Sequence, residues 1–82
     1  MPKIPRDISG RKLANLLKKL GYEITRETGS HLRLESTLGQ GVHKITIPDH
    51  NPIKIGTLNN ILTEIAARQD IEKKELVSRL FY

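Results

Sequence analysis

The sequence predicts an α+β fold: a three-stranded antiparallel sheet with helices on one face, in the order α-β-β-β-α with a short C-terminal helix appended. Three observations predict it. Leu13, Leu16, Leu17 and Leu20 recur at i, i+3, i+4 and i+7, and Leu58, Ile61, Leu62 and Ile65 repeat that spacing further on, so each segment carries one apolar stripe of a helix. Between them, three short stretches alternate polar and apolar residues, the period of half-buried strands. The links between those stretches are short, which gives an antiparallel meander, and two single-striped helices bury their stripes by covering the same sheet face.

Taken in order, residues 1–7 hold two prolines and no periodicity and are expected to form an extended arm. Ser9 is the expected N-cap of the first helix, with Ile8 and Leu13 at the N′ and N4 spacing of a hydrophobic staple. The helix should run from about residue 10 to 20, with Gly21 ending it and Lys18 and Lys19 at the negative pole of its dipole. Its polar side, with Arg11, Lys12, Asn15, Lys18 and Lys19, is open to two readings, a solvated face or a phosphate-binding surface. Strands are expected at 22–27, 31–35 and 42–47, the last stopped by Pro48. Thr37-Leu38-Gly39-Gln40-Gly41 reads as a flexible loop and Asp49-His50-Asn51-Pro52 as a polar turn. The second helix begins at about 55–57 and ends around Arg68. A third starts near residues 70–72 and has Leu76, Val77, Leu80 and Phe81 on its apolar side. No internal repeat is visible, and residues 1–82 are expected to form a single domain, with 70–82 a C-terminal helical extension.

The 82 residues include 14 Lys and Arg against 9 Asp and Glu, a formal charge of +5, which favours a polyanionic partner, above all nucleic acid. With only Tyr22, Phe81 and Tyr82 as aromatics, contacts to phosphate and sugar are favoured over base stacking. There is no cysteine, so disulfides and thiolate metal sites are excluded. No apolar run approaches the ~18 residues of a membrane span, and no signal-peptide pattern opens the chain. A soluble, cytoplasmic protein with no membrane association is expected.

The stretch Thr28-Gly29-Ser30-His31 carries the chemistry. Gly29 and Ser30 suit a tight turn, with Ser30 read as a turn residue rather than a nucleophile. If Leu32 and Leu34 face the core, His31 and Arg33 face the open side, a histidine and an arginine next to each other at the mouth of a turn and able to act on a phosphate. By parity the open face should show Glu23, Thr25, Glu27, His31, Arg33, Glu35, Lys44 and Thr46, while Arg26 shares parity with Ile24 and should snorkel at the sheet edge or contact phosphate. A strict two-residue loop would put Ile24 on the wrong side of the sheet. Either a three-residue loop or a bulge repairs the parity, and the three-residue version sets Glu27 opposite His31, where a carboxylate would orient the imidazole. His43 shares parity with Ile45 and is expected at the rim or in the core. His31, His43 and His50 match no zinc-binding spacing, so no metal or cofactor is expected. Gly56-Thr57 at a helix start could hold a phosphate on free backbone N–H groups or serve in simple capping.

Together the motifs resemble a known family. Ser9-Gly10-Arg11-Lys12-Leu13 leads into Leu16-Leu17-Lys18-Lys19-Leu20-Gly21-Tyr22. Arg26, Gly29-Ser30-His31 and Ile45-Thr46-Ile47-Pro48 follow, with His50 two residues on, and Gly56-Thr57-Leu58 opens a helix containing Ile61-Leu62. In this order and spacing they resemble the HicA family of mRNA interferase toxins (YcfA-like proteins) over most of residues 8–68. The resemblance implies a double-stranded-RNA-binding-domain-like fold, a toxin of a type II toxin–antitoxin system that cleaves mRNA independently of the ribosome, and a HicB-like antitoxin that covers its active site. It maps the family's catalytic histidine onto His31. The loop at 36–42 is long for the family, and the C-terminal helix is a further extension.

RNA supplies its own nucleophile, the 2′-OH, so a metal-independent endoribonuclease needs proton transfer and charge stabilisation. Histidine suits the proton steps, and Arg33 and Lys44 are the candidates for the phosphorane oxygens. Further RNA contacts are expected at Gly29, Ser30, Lys18, Lys19, Gly56 and Thr57, with Glu27 and His50 as auxiliaries; His50 or water would be the acid. The alternatives are a non-catalytic module that binds structured RNA and an adaptor whose open sheet edge pairs with another protein.

Overall fold

A computed structural model describes residues 4–37 and 41–82. Residues 1–3 of the expected arm and Leu38, Gly39 and Gln40 of the expected loop lie outside the described residues. The elements run α1 (Gly10–Leu17), a 3₁₀ turn (Lys18–Leu20), β1 (Tyr22–Thr28), β2 (His31–Ser36), β3 (His43–Pro48), α2 (Ile55–Gln69) and α3 (Lys73–Phe81). This is the α+β architecture the apolar periods predict, a double-stranded-RNA-binding-domain-like arrangement. The sheet order is β1-β2-β3, antiparallel throughout. Its smallest dimension is 18 Å, enough for one sheet and one helical layer. A second layer of helices on the open face would add roughly 10 Å.

α1 crosses all three strands, α2 packs on β3, and α3 packs on α2 and α1. Leu13, Ala14 and Leu17 of α1 meet Leu32 and Leu34 of β2, Ile45 and Ile47 of β3, and Leu58, Leu62 and Ile65 of α2 in one core, closed from below by Leu76 and Leu80 of α3. Leu16, Leu20 and Ile61, expected in the same stripes, are only partly buried at its margin. The α-helix ends at Leu17 rather than at residue 20. The last turn tightens to 3₁₀ geometry and closes on Gly21 at φ 86°, the left-handed conformation that glycine takes without penalty.

Ser9 caps α1: its Oγ accepts from the Lys12 N–H at 3.1 Å. Ser9→Ala should therefore lower stability by about 1 kcal/mol, a drop of roughly 4–8 °C in the thermal midpoint of a domain this size, read by circular dichroism.

The β1–β2 register answers the parity problem. Thr28 pairs with His31, so the hairpin loop is the two residues Gly29 and Ser30, and the register shifts between Ile24 and Arg26, leaving Thr25 as the extra residue of a bulge. Gly29, at φ 55°, takes the first central loop position, where a type II′ turn requires positive φ. Of the two repairs the sequence allows, the chain uses the bulge.

The bulge turns over the three β1 residues beyond it, Arg26, Glu27 and Thr28. Glu27 pairs with buried Leu32 and so belongs to the helix side, whereas Arg26 pairs with Arg33 and belongs to the open side. The expectations that Glu27 faces His31 and that Arg26 follows Ile24 are both corrected. A bulge adds one residue to one strand, and every side chain beyond it changes face.

Candidate functional site

The open face is a grid of three rows across β1, β2 and β3. The first holds Thr28, His31 and Pro48, the second Arg26, Arg33 and Thr46, and the third Glu23, Glu35 and Lys44. Rows lie about 6.6 Å apart along the strands, and neighbours within a row about 5 Å apart. His31 and Arg33 are thus exposed neighbours on one strand, as expected. His31 is the first residue of β2 and is paired on both sides, so its backbone is fixed while its ring stays in solvent.

The turn that presents His31 is tied to the rest of the site by backbone bonds. The Asp49 N–H donates to the Ser30 carbonyl at 2.6 Å, the Gly10 N–H donates to the His50 carbonyl at 2.9 Å, and the Ile53 N–H donates to the Ile8 carbonyl at 2.8 Å. The segment after β3 is thereby clamped between the hairpin turn and the start of α1, which sets exposed His50 in the same quarter as His31. Arg11 adds a side-chain tie, with its guanidinium 2.6 Å from a Glu27 carboxylate oxygen and 3.2 Å from one of Asp49. The Glu27 hydrogen bond, and then that of Asp49, holds the Arg11 pKa above its ordinary value. Glu27 thus belongs to a brace between α1, β1 and the β3–α2 segment, and is no auxiliary to His31.

The other expected site residues disperse. Lys44 stands opposite Glu35, two rows from His31. Lys18 and Lys19 lie in the 3₁₀ turn before β1, at the far end of the sheet from the hairpin turn. Gly56 and Thr57 occupy the first turn of α2, whose N-cap is Lys54 with no side-chain cap. Their N–H groups are at a helix start on the hairpin end of the molecule, on the helix side of the sheet. The three histidines do not converge. His43 is paired with Ser36 at the opposite end of β2 from His31, about 16 Å along β3 from Pro48.

His43 has a local structural setting instead. Tyr22 Oη and His43 Nδ1 are 2.6 Å apart, and His43 Nε2 is 3.4 Å from a Glu64 carboxylate oxygen of α2. Burial pushes the Tyr22 phenol above its ordinary pKa, opposed by the nearby Gln69 amide and the charge of Arg68. A raised phenol pKa in the fold means that the unfolded chain ionises first, so stability declines as pH rises past about 10. The urea midpoint should fall between pH 9 and 11, and Tyr22→Phe should flatten that fall; an identical fall in both proteins would contradict it.

Arg11, Asp49 and the outward turn of Arg26 were missed from sequence. The Arg11 brace joins residues 16 and 38 positions apart, and no local period reports such a contact. The parity break between Ile24 and Leu32 was the one signal for Arg26.

A family model for the HicA toxin of bacterial toxin–antitoxin systems matches residues 10–67. The chain belongs to the HicA toxin family. The HicA match spans α1 through nearly all of α2 and does not reach α3. No curated protein and no solved structure matches the chain. No helix among the described residues is long and apolar enough to cross a membrane.

Proposed function

We propose that this HicA protein is a toxin that cleaves mRNA as a metal-independent endoribonuclease, with His31 transferring the proton. The main support is the setting of His31: an exposed ring on a backbone paired from both sides, in the family's Gly-Ser-His turn, one position along the face from the Arg33 guanidinium. The imidazole takes the 2′-OH proton as the oxygen attacks the adjacent phosphorus. Arg33 stabilises the charge that develops on the phosphorane oxygens. The P–O5′ bond breaks as the 5′-oxygen is protonated, leaving a 2′,3′-cyclic phosphate and a 5′-hydroxyl. His50, held near the turn through the 49–53 segment, is the candidate acid. A HicB-like antitoxin that seats on the open face would cover His31 and the arginine row together, and the reaction and its inhibition would take place in the cytoplasm.

Incubating the purified protein with RNA and a chelator tests the reading. Fragments ending in cyclic phosphate are expected. RNA that is bound but never cut would favour the second reading, a non-catalytic module for structured RNA, for which the positive charge and the row of arginines also speak.

A further inference from the structure

The second row of the open face places two like charges against each other. Arg26 and Arg33 are direct cross-strand partners, both exposed, and neither forms an ion pair among the described residues. Like charges directly opposite on a sheet destabilise it. The arrangement exists only because the Thr25 bulge turns Arg26 outward. The neighbour of Arg33 on the other side is Thr46, which brings no charge. The third row brings Glu23 opposite Glu35, with Lys44 beyond. One face therefore presents, in sequence along the strands, an imidazole, a pair of guanidinium groups and a pair of carboxylates.

We propose that Arg26 and Arg33 form a two-sided clamp for one phosphate of a single RNA strand, the phosphate next to the one at His31. Which phosphate is cut, and that the strand is unpaired, rest on the ribonuclease reading; the clamp itself needs only RNA binding. Two guanidinium groups facing each other at cross-strand distance present N–H donors to both sides of a phosphodiester, and the anion relieves their repulsion. The row spacing of about 6.6 Å sets the clamp one step from His31. The third row, with Glu23 and Glu35 against the single Lys44, is net negative and repels a further phosphate, so the backbone turns off the sheet after the clamp. The strand is unpaired, because an A-form duplex holds the 2′-OH out of line with the P–O5′ bond and cannot reach the in-line geometry of attack.

The test uses His31→Ala protein, in which cleavage is expected to be slow on the time scale of binding, and a short labelled oligoribonucleotide of mixed sequence, with affinity measured between about 50 and 200 mM salt. Adding Arg26→Ala should weaken binding about tenfold and reduce the log–log salt slope by about 0.7, one single-strand phosphate contact. Adding Arg26→Glu instead should weaken binding further yet raise the melting temperature by roughly 2–4 °C, since it turns a like-charge pair into an ion pair with Arg33. An unchanged affinity and slope in Arg26→Ala overturns the clamp, as does a fall in melting temperature in Arg26→Glu, which marks a structural role. Wild-type protein that binds RNA through Arg26 but never cuts it sinks the ribonuclease reading alone. Cutting that is indifferent to Arg26→Ala sinks the clamp alone, and the absence of all RNA binding sinks both.

Discussion

Gly10→Ala is expected to abolish the cooperative thermal transition of this protein, or to lower its midpoint by about 15 °C or more. A Cβ at residue 10 would stand 2.0 Å from the Pro48 carbonyl oxygen, 2.9 Å from its carbon and 3.1 Å from the Asp49 Cα. All three are backbone atoms, so no rotamer change relieves the clash. Relief requires α1 to move off the end of β3. That movement breaks the Gly10–His50 and Ile53–Ile8 backbone bonds and unseats Leu13, Ala14 and Leu17, which are fully buried against the sheet. Overpacking alone costs about 1–3 kcal/mol, and the lost bonds and contacts add to it, against a total stability of roughly 4–12 kcal/mol for a chain of this length. Gly56→Ala is the control: a Cβ there meets nothing within 4 Å, and alanine in a helix is better than glycine by about 0.5–1 kcal/mol, so the midpoint should rise. A Gly10→Ala protein that melts within a few degrees of wild type would refute the close approach of α1 to β3.

His31→Ala should reduce RNA cleavage by a factor of about 10²–10⁴ while RNA affinity changes by less than about twofold. The ring is exposed at the first position of β2 and makes none of the core contacts, so its removal leaves the fold and the arginine row in place. The two readouts must separate. A general acid–base residue acts in the transition state and lowers the rate, whereas a residue that merely holds RNA would lower affinity and rate together. Toxicity on induction should follow the cleavage rate, with growth arrest for wild type and none for His31→Ala. Full cleavage by His31→Ala would remove His31 from the chemistry and redirect attention to His50.

Much of this arrangement was legible in the chain. The leucine and isoleucine spacing placed α1 and α2, Ser9 and Gly21 marked the two ends of the first helical segment, and Leu32 and Leu34 turned His31 and Arg33 to the open face. Each of these depends on neighbours within about one or two turns or a few strand positions, and such neighbours leave a period in the sequence. Where reasoning by parity failed, it failed past Thr25. A single unpaired residue reverses every face after it, and alternation alone does not choose between a longer loop and a bulge.

Local order, then, is the sequence's own contribution here: helix periods, caps, the glycine turn, and a histidine placed opposite to buried leucines. Pairing and approach were decided in three dimensions. The bulge sent Arg26 to the open face and Glu27 to Arg11, and the contact of Gly10 with Pro48 locked the 49–53 segment beside the turn. The reason is physical: caps and periods act between residues close in the chain, whereas register and close packing are settled by the energy of segments that meet only after the chain has folded.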